Sequence, residues 1–262
     1  MSKVDGCGKA DFDPAVITAN QLFDKVEWIG GAKMVEQELL ITVDEVRQVS
    51  GVLSRPERAA KAAAGVVLAH GAGNDRNHPL LVALSRGLSP AGYGVLRFNF
   101  PYRESNRKTP DPQPVLERSW KAALETLRQH VVAGGPVFGA GKSLGGRLAS
   151  QMTAAGTLDL EGLIFMGYPL HPPGKTDRLR DSHLYQIERP MLFFAGTRDP
   201  FCDLSHLLRV LNRLRAPWEL EVIDGGDHSF KLPAAAERTS DQVFERLLQR
   251  SVEWLDRVRA NL

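Results

Sequence analysis

Phe138-Gly139-Ala140-Gly141-Lys142-Ser143-Leu144-Gly145-Gly146 governs how the rest of this chain is read. With Pro136 and Val137 its first residues make a short apolar strand over 136–139, and the residues after Ser143 make a helix over 144–155. Between them stands Gly-x-Ser-x-Gly, with glycine two places before and two after the serine. A serine on so sharp a strand-to-helix turn sits in a strained backbone conformation, so both flanking places demand a very small residue. The turn leaves the Ser143 hydroxyl exposed at a helix N-terminus and aims the backbone N–H of Leu144 at the space in front of it. Gly141-Lys142-Ser143 also resembles the end of a phosphate-binding loop. That loop needs glycine where Pro136 stands, and the strand leaves too few residues to wrap a phosphate.

Outward from this turn the chain alternates strands and helices. Residues 34–43 and 45–54 read as an antiparallel pair joined near Asp44. Gly65-Val66-Val67-Leu68-Ala69 is apolar at every position, the mark of a strand buried on both faces. Further strands are expected at 94–99, 163–166, 191–195 and 218–223. Helices are expected at 79–89, 115–133, 203–214 and 239–260, the last with Val243, Phe244, Leu247, Leu248, Val252 and Leu255 on one side. Strands alternating with helices mean right-handed crossovers and a mostly parallel sheet of about eight strands, covered by helices on both faces. The fold class is therefore α/β. Two segments stay irregular, Pro101–Pro114 with its four prolines, and the stretch from Tyr168 to Pro190. Both follow strand ends at the carboxyl edge, where such sheets place their sites. Residues 1–31 read as an N-terminal extension with one short helix over 14–28, and 32–262 as a single domain.

Composition excludes several classes. Of 262 residues 43% are hydrophobic and 24% charged, ordinary values for a folded chain. Lys and Arg number 33 against 31 Asp and Glu, so a nucleic-acid partner is not expected. Seven histidines show no metal-ligand spacing, and no metal or other cofactor is called for. Two cysteines, Cys7 and Cys202, cannot form a disulfide scaffold. With no apolar run near 18 residues and no signal-peptide core, the chain reads as soluble and cytoplasmic, without a membrane partner.

An exposed serine on such a turn becomes a nucleophile when a base and an orienting acid reach it. In this arrangement they follow in the order Ser, Asp or Glu, His. Asp199 stands just past strand 191–195 and His228 just past strand 218–223, so Ser143, Asp199 and His228 all leave the same sheet edge. His228 would take the Ser143 proton, and Asp199 would hold the imidazole tautomer. Asp224 and Asp227 remain alternatives for the acid. Asp203 reads as a helix N-cap and Cys202 as a packed thiol. A second oxyanion donor is expected from His70-Gly71-Ala72-Gly73-Asn74-Asp75, with Ala72 as the N–H donor and Gly73 the alternative. His70 reads as a structural histidine that holds this turn.

Five motifs in order resemble the α/β-hydrolase superfamily. They are Ala69-His70-Gly71-Ala72-Gly73, Arg97-Phe98-Asn99-Phe100-Pro101-Tyr102, Gly141-Lys142-Ser143-x-Gly145-Gly146-Arg147, Gly196-Thr197-Arg198-Asp199 and Gly225-Gly226-Asp227-His228-Ser229-Phe230. The likeness spans about residues 34–260. It is nearest to small serine hydrolases related to dienelactone hydrolase and to the testis-expressed and NSL-complex-subunit group. That resemblance implies an α/β-hydrolase fold, a Ser143–Asp199–His228 triad, and Leu144 with Ala72 as oxyanion donors. Two departures limit it. Dienelactone hydrolases proper carry cysteine at the turn, and residues 1–31 match nothing in the family.

The expected reaction is cleavage of a small-molecule ester or thioester through an acyl-enzyme, with a small or polar acyl group. A non-catalytic binding or scaffold protein of the same fold is the alternative. Asn99, Tyr102, Arg103 and His171 are candidate pocket residues. Lys142, with Arg103, Arg147 and Lys175, would suit an anionic group. Oligomeric state is not legible.

Overall fold

The computed structural model describes residues 33–58, 61–236 and 238–262. The extension 1–31, its helix over 14–28, and Cys7 lie outside them. One eight-stranded sheet runs in the order β1-β2-β4-β3-β5-β6-β7-β8. Its strands are β1 (Met34–Asp44), β2 (Arg47–Pro56), β3 (Ala64–Ala69), β4 (Tyr93–Phe98), β5 (Val137–Lys142), β6 (Leu163–Met166), β7 (Met191–Gly196) and β8 (Trp218–Ile223). β1 pairs antiparallel with β2 and β2 with β4, and every later pairing is parallel. The helices are α1 (Pro79–Leu88), α2 (Pro101–Glu104), α3 (Gln113–Arg128), α4 (Leu144–Ala154), α5 (Leu204–Leu211) and α6 (Ser240–Arg259).

The alternation of side chains along a strand builds two cores. On β3, Val67 and Ala69 join one cluster with Trp120 and Leu124 of α3, Leu148 of α4 and Leu207 of α5. Val66 and Leu68 point the other way, into a cluster with Leu80 and Leu84 of α1 and Leu247 and Trp254 of α6. With both faces covered, all six β3 residues are buried, which is why that run carries no polar residue. α6 starts at a capping box between Thr239 and Gln242. Among the described residues no helix is long and apolar enough to cross a membrane.

Several boundaries differ from expectation, α5 also ending at Leu211 and not at 214. β5 runs on past Gly139 to Lys142, so the strand ends immediately before Ser143. α3 stops at Arg128 and does not reach residue 133. Val131, whose apolar spacing suits a helix, instead forms an isolated parallel bridge with Ala62, and Gly134 turns the chain with φ +75°. The two irregular segments are partly regular, since α2 opens one and a 3-10 turn, Leu184–Gln186, lies in the other.

Parallel β3, β5, β6, β7 and β8 all end at one edge. Their following loops, 70–78, Ser143 itself, 167–190, 197–203 and 224–231, therefore meet there.

Candidate active site

Ser143 connects β5 to α4 in a single residue, with φ 49° and ψ −112°. That is a left-handed backbone for a residue other than glycine, and it is held from both sides. Its N–H donates to the Met166 carbonyl at 3.2 Å, and its carbonyl accepts from Arg147 N–H at 3.0 Å. The flanking glycines are sterically required. A Cβ at Gly141 would lie 2.3 Å from the Gly146 nitrogen, and one at Gly145 would lie 2.7 Å from the Ala69 carbonyl oxygen.

His228 bridges Ser143 and Asp199. Its Nε2 is 2.9 Å from Ser143 Oγ and its Nδ1 is 2.7 Å from Asp199 Oδ2. The Asp199 side chain is 0% exposed, and its other oxygen accepts the Phe201 N–H at 2.8 Å. An ionised carboxylate only accepts, so the proton sits on Nδ1 and Nε2 is free to accept from the serine hydroxyl. The Phe201 ring lies 4.5 Å from the His228 ring and fixes its tilt.

The rival acids are occupied elsewhere. Asp227 Oδ1 accepts from the N–H groups of Ser229 and Lys231, which shapes the turn that presents His228. Asp224 Oδ1 accepts from Thr197 Oγ1.

The turn after β3 lies against the serine, since a Cβ at Gly71 would be 3.4 Å from Ser143 Cβ. His70 is fully buried; its Nδ1 donates to the Gly71 carbonyl at 2.8 Å and its Nε2 accepts the Phe100 N–H at 3.1 Å. Burial pushes its pKa down to about 4, so the ring stays neutral. The Tyr102 hydroxyl donates to the Ala72 carbonyl at 2.8 Å. Both peptide units of the turn are thus held by side chains behind it.

Several residues expected to line the pocket do other work. Lys142 is buried, and its ammonium donates to the His228 carbonyl at 3.3 Å, so it braces the histidine turn from beneath and offers no solvent-facing charge. Burial holds that ammonium below the ordinary lysine range against the pull of Asp199 and Asp227. Asn99 is engaged by the backbone of the 70–78 loop, its Oδ1 accepting the Arg76 N–H at 2.7 Å. Arg103 donates to the Arg107 carbonyl at 3.2 Å and lies 3.8 Å from Asp75. His171 is buried and not at the surface. Its Nε2 accepts the Asp203 N–H at 2.9 Å, which ties residues 167–190 to the loop that carries Asp199. Tyr102 is buried and serves the turn. Asp203 does cap α5, accepting the His206 N–H. Burial raises the Cys202 thiol to about 12, which removes it as a nucleophile.

One polar cluster escaped the sequence reading. Ser150 Oγ, His183 Nε2 and Tyr168 OH are mutually bonded at 2.8 and 3.1 Å where residues 167–190 cross α4. Ser150 and His183 carry no motif. Only the buried face of α4 would have marked Ser150.

The family model described as "Alpha/beta hydrolase domain" matches residues 62–256. Among solved structures, a dienelactone hydrolase from Anabaena variabilis is similar with a TM-score of 0.65 at 22% identity, over 86% of this chain and 98% of that one. A dienelactone hydrolase-like promiscuous phosphotriesterase, P91, from metagenomic libraries gives 0.64 at 18%, over 87% and 99%. XC6422 from Xanthomonas campestris, described as an α/β serine hydrolase without a lid, gives 0.63 at 18%, over 84% and 94%. At these identities the likeness is one of fold.

Proposed function

The chain belongs to the alpha/beta hydrolase domain family, and from that premise we propose that it is a serine hydrolase cleaving a carboxylic ester or thioester through an acyl-enzyme. One observation carries the reading: His228 stands between Ser143 Oγ and Asp199, with a nitrogen bonded to each. A scaffold has no use for that order of hydroxyl, imidazole and buried carboxylate.

In the proposed reaction Ser143 Oγ attacks the carbonyl carbon while its proton passes to His228 Nε2. Asp199 faces the imidazolium so formed. The negative charge on the former carbonyl oxygen is received by the N–H groups of Leu144 and Ala72. Ala72 is preferred over Gly73 because the adjoining Gly71 rests on Ser143 and its carbonyl is pinned by His70. The tetrahedral intermediate collapses, and the alcohol or thiol leaves with the proton from Nε2. Water then gives a proton to His228 and attacks the acyl carbon, releasing the acid and restoring Ser143. The step needs neither metal nor cofactor.

A small or polar acyl group suits the site best. Residues 167–190 contain a single 3-10 turn and are pinned by buried Leu170, His171, Leu184 and Ile187, leaving little to enclose a long chain.

Fluorophosphonate labelling read by intact mass tests the reading. Wild type is expected to take one equivalent, and Ser143→Ala and His228→Ala almost none. In an ester panel, acetyl and butyryl esters should turn over faster than palmitoyl. A folded wild type that resists the probe would sink the proposal and leave a non-catalytic binding protein of the same fold.

A further inference from the structure

Beside the candidate triad Arg147 and Arg180 meet at one polar linkage, their charges both acting on Tyr168. Arg147 is one helical turn past Ser143, and its N–H donates to the Ser143 carbonyl at 3.0 Å. Helical side chains lean toward the N-terminus, so Arg147 covers the turn that begins at the serine. Arg180 comes from the facing segment. Residues 167–190 leave β6 against His228, since a Cβ at Gly167 would lie 3.3 Å from His228 Nδ1.

A chain of polar groups joins the two arginine backbones. Ser150 Oγ donates to the Arg147 carbonyl at 2.7 Å, and Tyr168 OH donates to the Arg180 carbonyl at 2.7 Å. His183 Nε2 lies 2.8 Å from the first hydroxyl and 3.1 Å from the second. Both hydroxyl protons are committed to carbonyls, so His183 donates to both oxygens. Burial pushes its pKa down to about 4, and the linkage is neutral. The fold thus ties the two arginine backbones to one another through neutral groups.

Among the described residues neither guanidinium has a carboxylate at ion-pairing distance. The nearest acid in sequence, Asp181, is engaged by the Tyr185 hydroxyl at 2.6 Å. Among the described residues the one hydrogen bond from either guanidinium is a long one, 3.4 Å, from Arg180 to the Pro169 carbonyl. Arg147 is half-buried, and burial together with the Arg180 charge lowers its pKa. A half-buried cation in the field of a second cation opposes folding unless an anion joins them. A carboxylate answers one of the charges. A phosphate monoester, close to doubly charged at neutral pH and rich in acceptor oxygens, answers both, and paired guanidinium groups match its geometry.

We propose that Arg147 and Arg180 form a receiving site for a phosphate group carried by the ester or thioester on which Ser143 acts. The identity of the carrier rests on the hydrolase reading above; the anion site itself does not.

Inorganic phosphate is the probe, applied to the full chain. At 20 mM and matched ionic strength, phosphate should raise the Tm of wild type by about 3 °C over acetate or chloride, the size expected near ten times a millimolar Kd. Arg147→Met and Arg180→Met should lose that shift, and without phosphate each should melt no lower than wild type, because a like-charge contact has been removed. Phosphate should also slow fluorophosphonate labelling of Ser143 about threefold in wild type and not in either variant. Equal effects of acetate and phosphate, or a shift that survives both substitutions, would overturn the assignment. Labelling without phosphate stabilisation would remove the anion site and keep the hydrolase. Stabilisation that needs both arginines in a chain whose Ser143 resists the probe would do the reverse.

Discussion

His70 Nδ1 donates to the carbonyl of Gly71 at 2.8 Å, and that carbonyl shares a peptide plane with the N–H of Ala72. In a trans peptide the two groups point in opposite directions, so fixing one aims the other. The imidazole is itself fixed, because its Nε2 accepts the Phe100 N–H at 3.1 Å and its ring meets the Phe100 ring edge-on at 4.9 Å. A neutral histidine buried behind the turn thus helps fix the direction of the Ala72 amide, the donor proposed for the oxyanion. Preorganised donors of this kind gain their effect because no reorientation is needed as charge develops.

His70→Phe keeps the ring volume and removes both hydrogen bonds. The Gly71 carbonyl then keeps only the Asn74 N–H at 3.0 Å and a long contact from the Tyr102 hydroxyl. The Ala72 amide is less firmly aimed, and kcat for an activated ester should fall about 10-fold with KM within about threefold. The buried Phe100 N–H also loses its partner, so the Tm should drop as well. An unchanged kcat in a folded variant would show that the Asn74 N–H is enough to hold the Gly71 carbonyl.

Asp199→Asn gives a sharper test of the triad, because Phe201 decides which way the amide faces. The Phe201 N–H requires an acceptor at 2.8 Å, so the amide oxygen of the variant goes there and its NH₂ turns to His228 Nδ1. The proton is then forced onto Nε2, which can no longer accept from Ser143. A loss of about 10⁴-fold in kcat is expected with little change in KM. A loss below tenfold would mean that Asp199 does not set the tautomer.

His70 also gives a pH dependence whose sign follows from its burial. Its folded pKa is about 4 against 6.5 for the free side chain, so between those values the unfolded chain binds the proton first. Stability should therefore rise from pH 4 to 6.5 and level off above. From pH 7 to pH 5 this one group should remove about 2 kcal/mol of unfolding free energy. His183, depressed to the same value, adds to the trend in the same direction. Urea unfolding at the two pH values checks this, with His70→Asn expected to show the smaller difference. Parallel losses in wild type and variant would contradict the assignment.

Much of this was legible in the sequence, for reasons that differ by residue. Strand and helix positions followed from apolar periodicity, and the turn at Ser143 from two glycines whose Cβ atoms would strike backbone. Asp199 and His228 were legible because parallel strands deliver their loops to one edge, which reduces a three-dimensional question to a count along the chain. What the sequence does not give is the direction of side chains. Lys142, Asn99, Arg103 and His171 all lie near the site in sequence terms, yet each turns to satisfy a backbone group or a neighbouring charge. Val131 is a similar case, since helical spacing cannot distinguish a last helical turn from a bridge to Ala62. Where a polar side chain points depends on which buried groups need partners, and that is settled only by the assembled fold.

Lys142 shows how much such a residue can matter without touching substrate. Its ammonium is buried beneath the His228 turn, bonded to the His228 carbonyl at 3.3 Å and within the fields of Asp199 and Asp227. Lys142→Met keeps the length of the side chain and removes the charge and the bond. Two effects on stability then oppose each other: a costly buried cation is gone, and the buried Asp199 carboxylate loses a nearby positive charge. The Tm should accordingly move by only a few degrees. The rate should not be so protected, because the His228 backbone is no longer held and a small displacement of Nε2 from Ser143 Oγ is expensive. Fluorophosphonate labelling about tenfold slower than wild type, with near-native thermal stability, is the expected result. Labelling at the wild-type rate would mean that the Asp227 bonds to Ser229 and Lys231 hold the histidine turn without Lys142.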